Sequence, residues 1–126
     1  ERWKVKVLIP IMPSSFEPCG LPQMMSTIYG SLPVAHDTGG LHDTVHPLDV
    51  EQNTGNGFLF DVFDSKGLRW AIDQAMAFYS LPANAKAVQV ARIMRESTAE
   101  FTHGETAKRY VDIYENMLRR PLVEPF

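Results

Sequence analysis

A chain of 126 residues, 44% hydrophobic and 21% charged, suits one small domain with a single core. Its formal charge of -3 and lack of a basic stripe argue against nucleic acid as the main partner, and no apolar run approaches the ~20 residues of a membrane span. No signal-peptide pattern opens the chain, and the single cysteine, Cys19, rules out an internal disulfide, so a reducing cytoplasm is the expected location.

The stretch from Lys4 to Met12 predicts a strand. Val5, Val7, Leu8, Ile9 and Ile11 make a nearly continuous apolar run, as in a strand buried on both faces. Pro10 places its end, or a sheet edge, close by. After the Pro13-Ser14-Ser15 turn, Leu21 to Tyr29 predicts a helix with Leu21, Met24, Met25 and Ile28 on its apolar face. Pro22 suits the first turn and Gly30 the end. Leu32 to His36 predicts a second strand, completing a βαβ unit. Thr38-Gly39-Gly40 reads as a tight loop, with a helical turn from Leu41 to Val45. His46 to Gly57 reads as a polar surface loop and Gly57 to Phe60 as a third short strand.

Three helices follow. Asp64 or Ser65 caps the first, with Leu68, Ala71, Ile72, Ala75, Met76 and Tyr79 inward. Pro82 or Asn84 opens the second, with Ala87, Val90, Ala91 and Met94 on one side. Thr102 or His103 precedes the third, with Ala107, Tyr110, Val111, Tyr114, Met117 and Leu118 as a stripe and Pro121 beyond its end. The order predicts an α/β, partial Rossmann-like parallel sheet with flanking helices.

The informative stretch is Phe16-Glu17-Pro18-Cys19-Gly20-Leu21-Pro22-Gln23, an acid in the loop between a buried strand and a helix. In parallel α/β sheets ligands bind beyond the carboxyl ends of strands. Thr38-Gly39-Gly40 follows the next strand and opens on the same side, so the two loops suggest one ligand site. A plain helix-capping role for Glu17, and a plain turn at Gly39 and Gly40, are the alternatives. His36, His42 and His46 lie near Asp37 and Asp43, but their spacing matches no strong metal-ligand pattern, and solvated loop residues are the expectation.

The run from Pro13 to Leu21, followed by Gln23, resembles the signature of bacterial glycogen synthases and plant starch synthases. So do Tyr29-Gly30-Ser31-Leu32-Pro33-Val34, the run from Thr38 to Val45, and Phe101-Thr102-His103 with Ala107, Tyr110 and Tyr114. The resemblance implies a retaining glycosyltransferase of two Rossmann-like domains with its active site in the cleft between them. It implies that residues 1–126 are a segment of the C-terminal, nucleotide-sugar-binding domain. The implied reaction moves glucose from ADP-glucose to an α-1,4-glucan without metal or cofactor. Glu17 would serve the donor glucose in catalysis, and Cys19, Gly20, Leu21, Thr38, Gly39 and Gly40 would line the substrate.

Departures from that pattern bear on activity. Pro22 has no N–H to offer and His103 stands where the family often has Trp, while Met25 stands where related glycosyltransferases have a second acid that glycogen synthases also tend to lack. His36 and Asp37 stand where the family often has basic residues, and those that hold its diphosphate lie upstream of this region. The isolated chain is therefore expected to be inactive. The other readings are a non-catalytic nucleotide- or glucan-binding module, and a self-associating fragment pairing through Val5, Val7, Ile9 and Ile11.

Overall fold

A computed structural model of the chain describes residues 9–122. It shows one parallel sheet of three strands in chain order: β1 (Ile11–Met12), β2 (Val34–His36) and β3 (Phe58–Phe60). The Pro10 carbonyl accepts the Val34 N–H at 2.9 Å, so the proline takes part in the ladder through the one backbone group it retains. The Lys4 to Leu8 part of the predicted Lys4–Met12 strand, with Val5 and Val7, lies outside the described residues.

Among the described residues five helices accompany the sheet: α1 (Pro22–Ile28), α2 (Gly39–Thr44), α3 (Ser65–Tyr79), α4 (Ala83–Glu100) and α5 (His103–Leu118). Their starts follow local chemistry. The Asp64 carboxylate accepts from the N–H groups of Lys66 and Gly67, and the Thr102 hydroxyl from that of Glu105. The core is Leu32, Val34, Phe58, Phe60, Ala71, Ala75, Phe78 and Ile93. α3 covers the β2–β3 side of the sheet, and α1 packs on α4.

The structure corrects the expected helix faces. On α1 the buried side chains are Gln23 and Thr27, whereas Leu21 and Met25 stand exposed. On α4 the buried residues are Gln89, Arg92, Ile93 and Ser97, and Ala87, Ala91 and Met94 face outward. The cause is visible in the bonding. Arg92 donates to the Gly55 carbonyl at 2.7 Å and to the Gln89 carboxamide oxygen at 3.0 Å, and Gln89 donates to Asn53 Oδ1 at 2.6 Å. α4 thus turns a polar face inward to bind the 46–57 segment, whose backbone groups need partners. On α3, Met76 is exposed and Phe78 is buried instead. The α5 stripe buries no residue at all: Tyr110, Tyr114, Met117 and Leu118 are each at least half exposed. No described helix is long and apolar enough to cross a membrane.

Candidate functional site

The loop from Pro13 to Gly20 leaves the carboxyl end of β1 and enters α1. Its acid, Glu17, is partly buried, while Cys19 is exposed. The capping alternative does not hold. The N-cap of α1 is Leu21, and no side chain caps that helix.

The Thr38-Gly39-Gly40 run lies directly against this loop. It is the first turn of α2 rather than a loop ahead of it, because the Thr38 carbonyl already accepts from Leu41 at 3.0 Å and His42 at 3.3 Å. The Gly40 N–H donates to the Glu17 carbonyl at 2.7 Å. A Cβ at Gly39 would overlap the Glu17 carbonyl, and one at Gly40 would overlap the Cys19 backbone. Glycine is required at both positions for the two backbones to meet at this distance. The structure therefore brings Glu17, Cys19, Gly20 and Leu21 together with Thr38, Gly39 and Gly40.

Two residues that sequence reasoning passed over help hold this arrangement. Gln23 sits beneath the loop, 1% exposed, and bonds to Thr44 of α2 at 3.1 Å. A polar residue quoted within the motif was the available signal, but its burial was hidden by the apolar residues on either side of it.

The histidines part company. His36 is buried rather than solvated, with Nδ1 donating to the Ser14 carbonyl at 2.8 Å and its ring packed against Phe60 and Phe63. That bond fixes the start of the Glu17 loop. His42 pairs with Asp37 at 2.6 Å at the surface. The hydrogen bond to Asp37, and then its charge, hold the imidazole above its usual pKa of 6.5. His46 is exposed. Among the described residues no three potential ligands converge on a metal position.

Charge in this region has one sign. Between Lys6 and Lys66 the sequence holds no Lys or Arg, while Glu17, Asp37, Asp43, Asp49, Glu51, Asp61 and Asp64 fall within the interval. Cavities of about 430 and 410 Å³ open elsewhere, along β3 and on either side of Trp70. Glu17 lines neither, and its loop is an open face.

This α/β segment with its parallel sheet is similar to part of known sugar-transferring enzymes. The chain is 46% identical over 109 residues to glycogen synthase of Cellvibrio japonicus (strain Ueda107), covering 85% of this chain. It is 38% identical over 109 residues to glycogen synthase of Bacillus subtilis (strain 168), covering 86% of this chain. The catalytic domain of starch synthase IV from Arabidopsis thaliana, bound to ADP and acarbose, superposes with a TM-score of 0.75 at 35% identity, over 89% of this chain and 23% of that one. No protein-family model matches. The chain is thus homologous to one segment of a glycosyltransferase catalytic domain. The glycosyltransferases are glycogen and starch synthases, and the chain spans 22% of the length of the glycogen synthases it matches.

Proposed function

We propose that this chain is the donor-side segment of a cytoplasmic glycogen or starch synthase, part of its C-terminal nucleotide-sugar-binding domain. The longer enzyme moves glucose from ADP-glucose to the end of an α-1,4-glucan with retention of anomeric configuration. The observation that carries the reading is the juxtaposition of the Glu17 loop with the Thr38–Gly40 turn, backbone on backbone, at the carboxyl edge of the sheet. The starch synthase relative bound to ADP and acarbose supports the two ligand classes.

In this reading Glu17 holds the donor glucose and stabilises positive charge developing at its anomeric carbon. Backbone N–H groups at Cys19, Gly20 and Leu21 face the sugar and diphosphate, and Thr38, Gly39 and Gly40 shape the adjoining wall. The Gly40 N–H is already engaged by Glu17, so its share is to set the height of that loop. Neutralising the leaving diphosphate is the main electrostatic task of such a transfer. The acidic interval around Glu17 does not supply that charge, and cations from the remainder of the enzyme must do so.

Glu17→Ala in the longer enzyme tests the reading. Turnover falls severely while the fold and the donor KM change little, because the interaction grows toward the transition state. An unchanged rate returns Glu17 to a structural role. The isolated chain gives no glucosyl transfer from ADP-glucose to glycogen; turnover above a blank that vanishes in Glu17→Ala would show the segment to be sufficient. The bare stripe of α5 favours a second reading for the isolated chain alone, a self-associating module.

A further inference from the structure

Gln23 occupies a place where a short amphipathic helix would ordinarily put an aliphatic side chain. It is 1% exposed, and its Nε2 lies 2.9 Å from the Cys19 carbonyl, 2.9 Å from the Gly20 carbonyl and 3.1 Å from the Thr44 hydroxyl. The orientation of the carboxamide follows from its neighbours. Both carbonyls can only accept, and the Thr44 hydroxyl spends its proton on the Gly40 carbonyl at 2.5 Å. The nitrogen must therefore face the loop, its two protons shared among three acceptors. Its oxygen is buried with no partner among the described residues. Burying a carboxamide with one end unsatisfied costs stability that a leucine would not. The compensating benefit is what the amide does to the loop.

In a trans peptide the C=O of one residue and the N–H of the next point in opposite directions. Drawing the Cys19 and Gly20 carbonyls inward onto Gln23 turns the N–H groups of Gly20 and Leu21 outward. Neither of those N–H groups has a hydrogen-bond acceptor among the described residues. We infer that Gln23, braced by Thr44, is a positioning residue that aims the Gly20 and Leu21 N–H groups at the diphosphate of the donor. It acts through the loop and does not touch substrate. The inference rests on the reading of the Glu17 loop as the donor site.

The test uses the longer synthase that carries this segment, with Gln23→Leu, Thr44→Val and Thr44→Ser, and with Glu17→Ala as control. Readouts are kcat/KM for ADP-glucose, the Kd of ADP, the KM for glycogen and the thermal midpoint. In Gln23→Leu, ADP binding and donor kcat/KM fall about tenfold or more, the loss of one well-aimed charge-assisted hydrogen bond, with glycogen KM unchanged. Thr44→Val gives a smaller loss of the same kind, and Thr44→Ser, which keeps the hydroxyl, restores it. A folded Gln23→Leu enzyme with donor kcat/KM and ADP affinity within twofold of the parent overturns the inference. So does a Thr44→Ser enzyme no better than Thr44→Val. Should Gln23→Leu fail to fold, the Thr44 pair decides by the same criteria. If Glu17→Ala abolishes turnover while the Gln23 and Thr44 variants behave as the parent, only the positioning role falls. If Glu17→Ala is unaffected, the donor-site reading itself falls.

Discussion

Replacing Arg92 with alanine should destabilise the chain by about 3 kcal/mol, more than any change on the exposed face of the same helix. Arg92 is 8% exposed and is the one buried lysine or arginine among the described residues. Its guanidinium reaches the Gly55 carbonyl at 2.7 Å, the Gln89 oxygen at 3.0 Å and the Glu96 carboxylate at 2.7 Å. Removing it leaves the Gly55 and Gln89 oxygens short of a donor in a poorly hydrated position, at about 1–3 kcal/mol each. Glu96 is half exposed, regains water and contributes little. A loss of that size is a large part of the roughly 5–15 kcal/mol that holds a domain of this kind. Urea unfolding followed by circular dichroism reads it as a midpoint lower by roughly 1–2 M at unchanged slope. Arg92→Lys should recover only a minor part, since one ammonium cannot span the three acceptors that the planar fork reaches. A loss below about 1 kcal/mol, or full recovery with lysine, would refute the view that this buried face anchors the 46–57 segment.

Tyr79→Phe should change stability little, because the buried hydroxyl makes no well-formed hydrogen bond among the described residues and its polar neighbour is the Leu32 backbone; burial raises its pKa above 10.0 and that backbone group opposes the rise, and a clear loss on thermal unfolding would show the Leu32 contact to be a full hydrogen bond. The His42 imidazole should titrate above 6.5, and Asp37→Asn should bring it back toward that value in an NMR titration. Because the folded-state value is the raised one, the pair's small contribution is complete below pH 6.5 and fades as pH rises through the folded pKa, and salt weakens it. The isolated chain should self-associate through the exposed Tyr110, Tyr114, Met117 and Leu118 of α5, with β1 as the outer strand of the described sheet; light scattering that finds a monomer at every concentration refutes this.

Elements set by local chemistry were legible in the sequence. The strand at Val34–His36, the caps at Asp64 and Thr102 and the proline at the start of α1 each depend on a few adjacent residues. The inward faces of α1 and α4 were not legible. Apolar periodicity assumes that whatever is buried is apolar, and these helices bury Gln23, Thr27, Gln89 and Arg92 because they face loops whose backbone groups need partners. The partners are some 20 to 40 positions away in sequence, as Gln23 with Thr44 and Arg92 with Gly55 show, and no local pattern announces them. At the site, the Glu17 motif and the glycine pair were visible as letters. That Gly39 and Gly40 begin a helix and bear directly on the Glu17 and Cys19 backbone became visible only in three dimensions.

The Glu17 loop is held at three points by polar groups: Ser14 by the His36 ring, Glu17 by the Gly40 N–H, and Cys19 with Gly20 by the Gln23 amide. Each tie spends a polar group of the β2–α2 unit or of α1, and none comes from a lysine or an arginine. The loop is thus shaped in advance without any cation that would compete for Glu17. In the proposed role, a carboxylate that stabilises developing positive charge serves best when unpaired until substrate arrives, and a lysine or arginine beside it would cancel it. In the proposed reading, the stretch between Lys6 and Lys66 holds no lysine or arginine and brings no countercharge of its own to a diphosphate, so that charge comes from elsewhere in the longer enzyme.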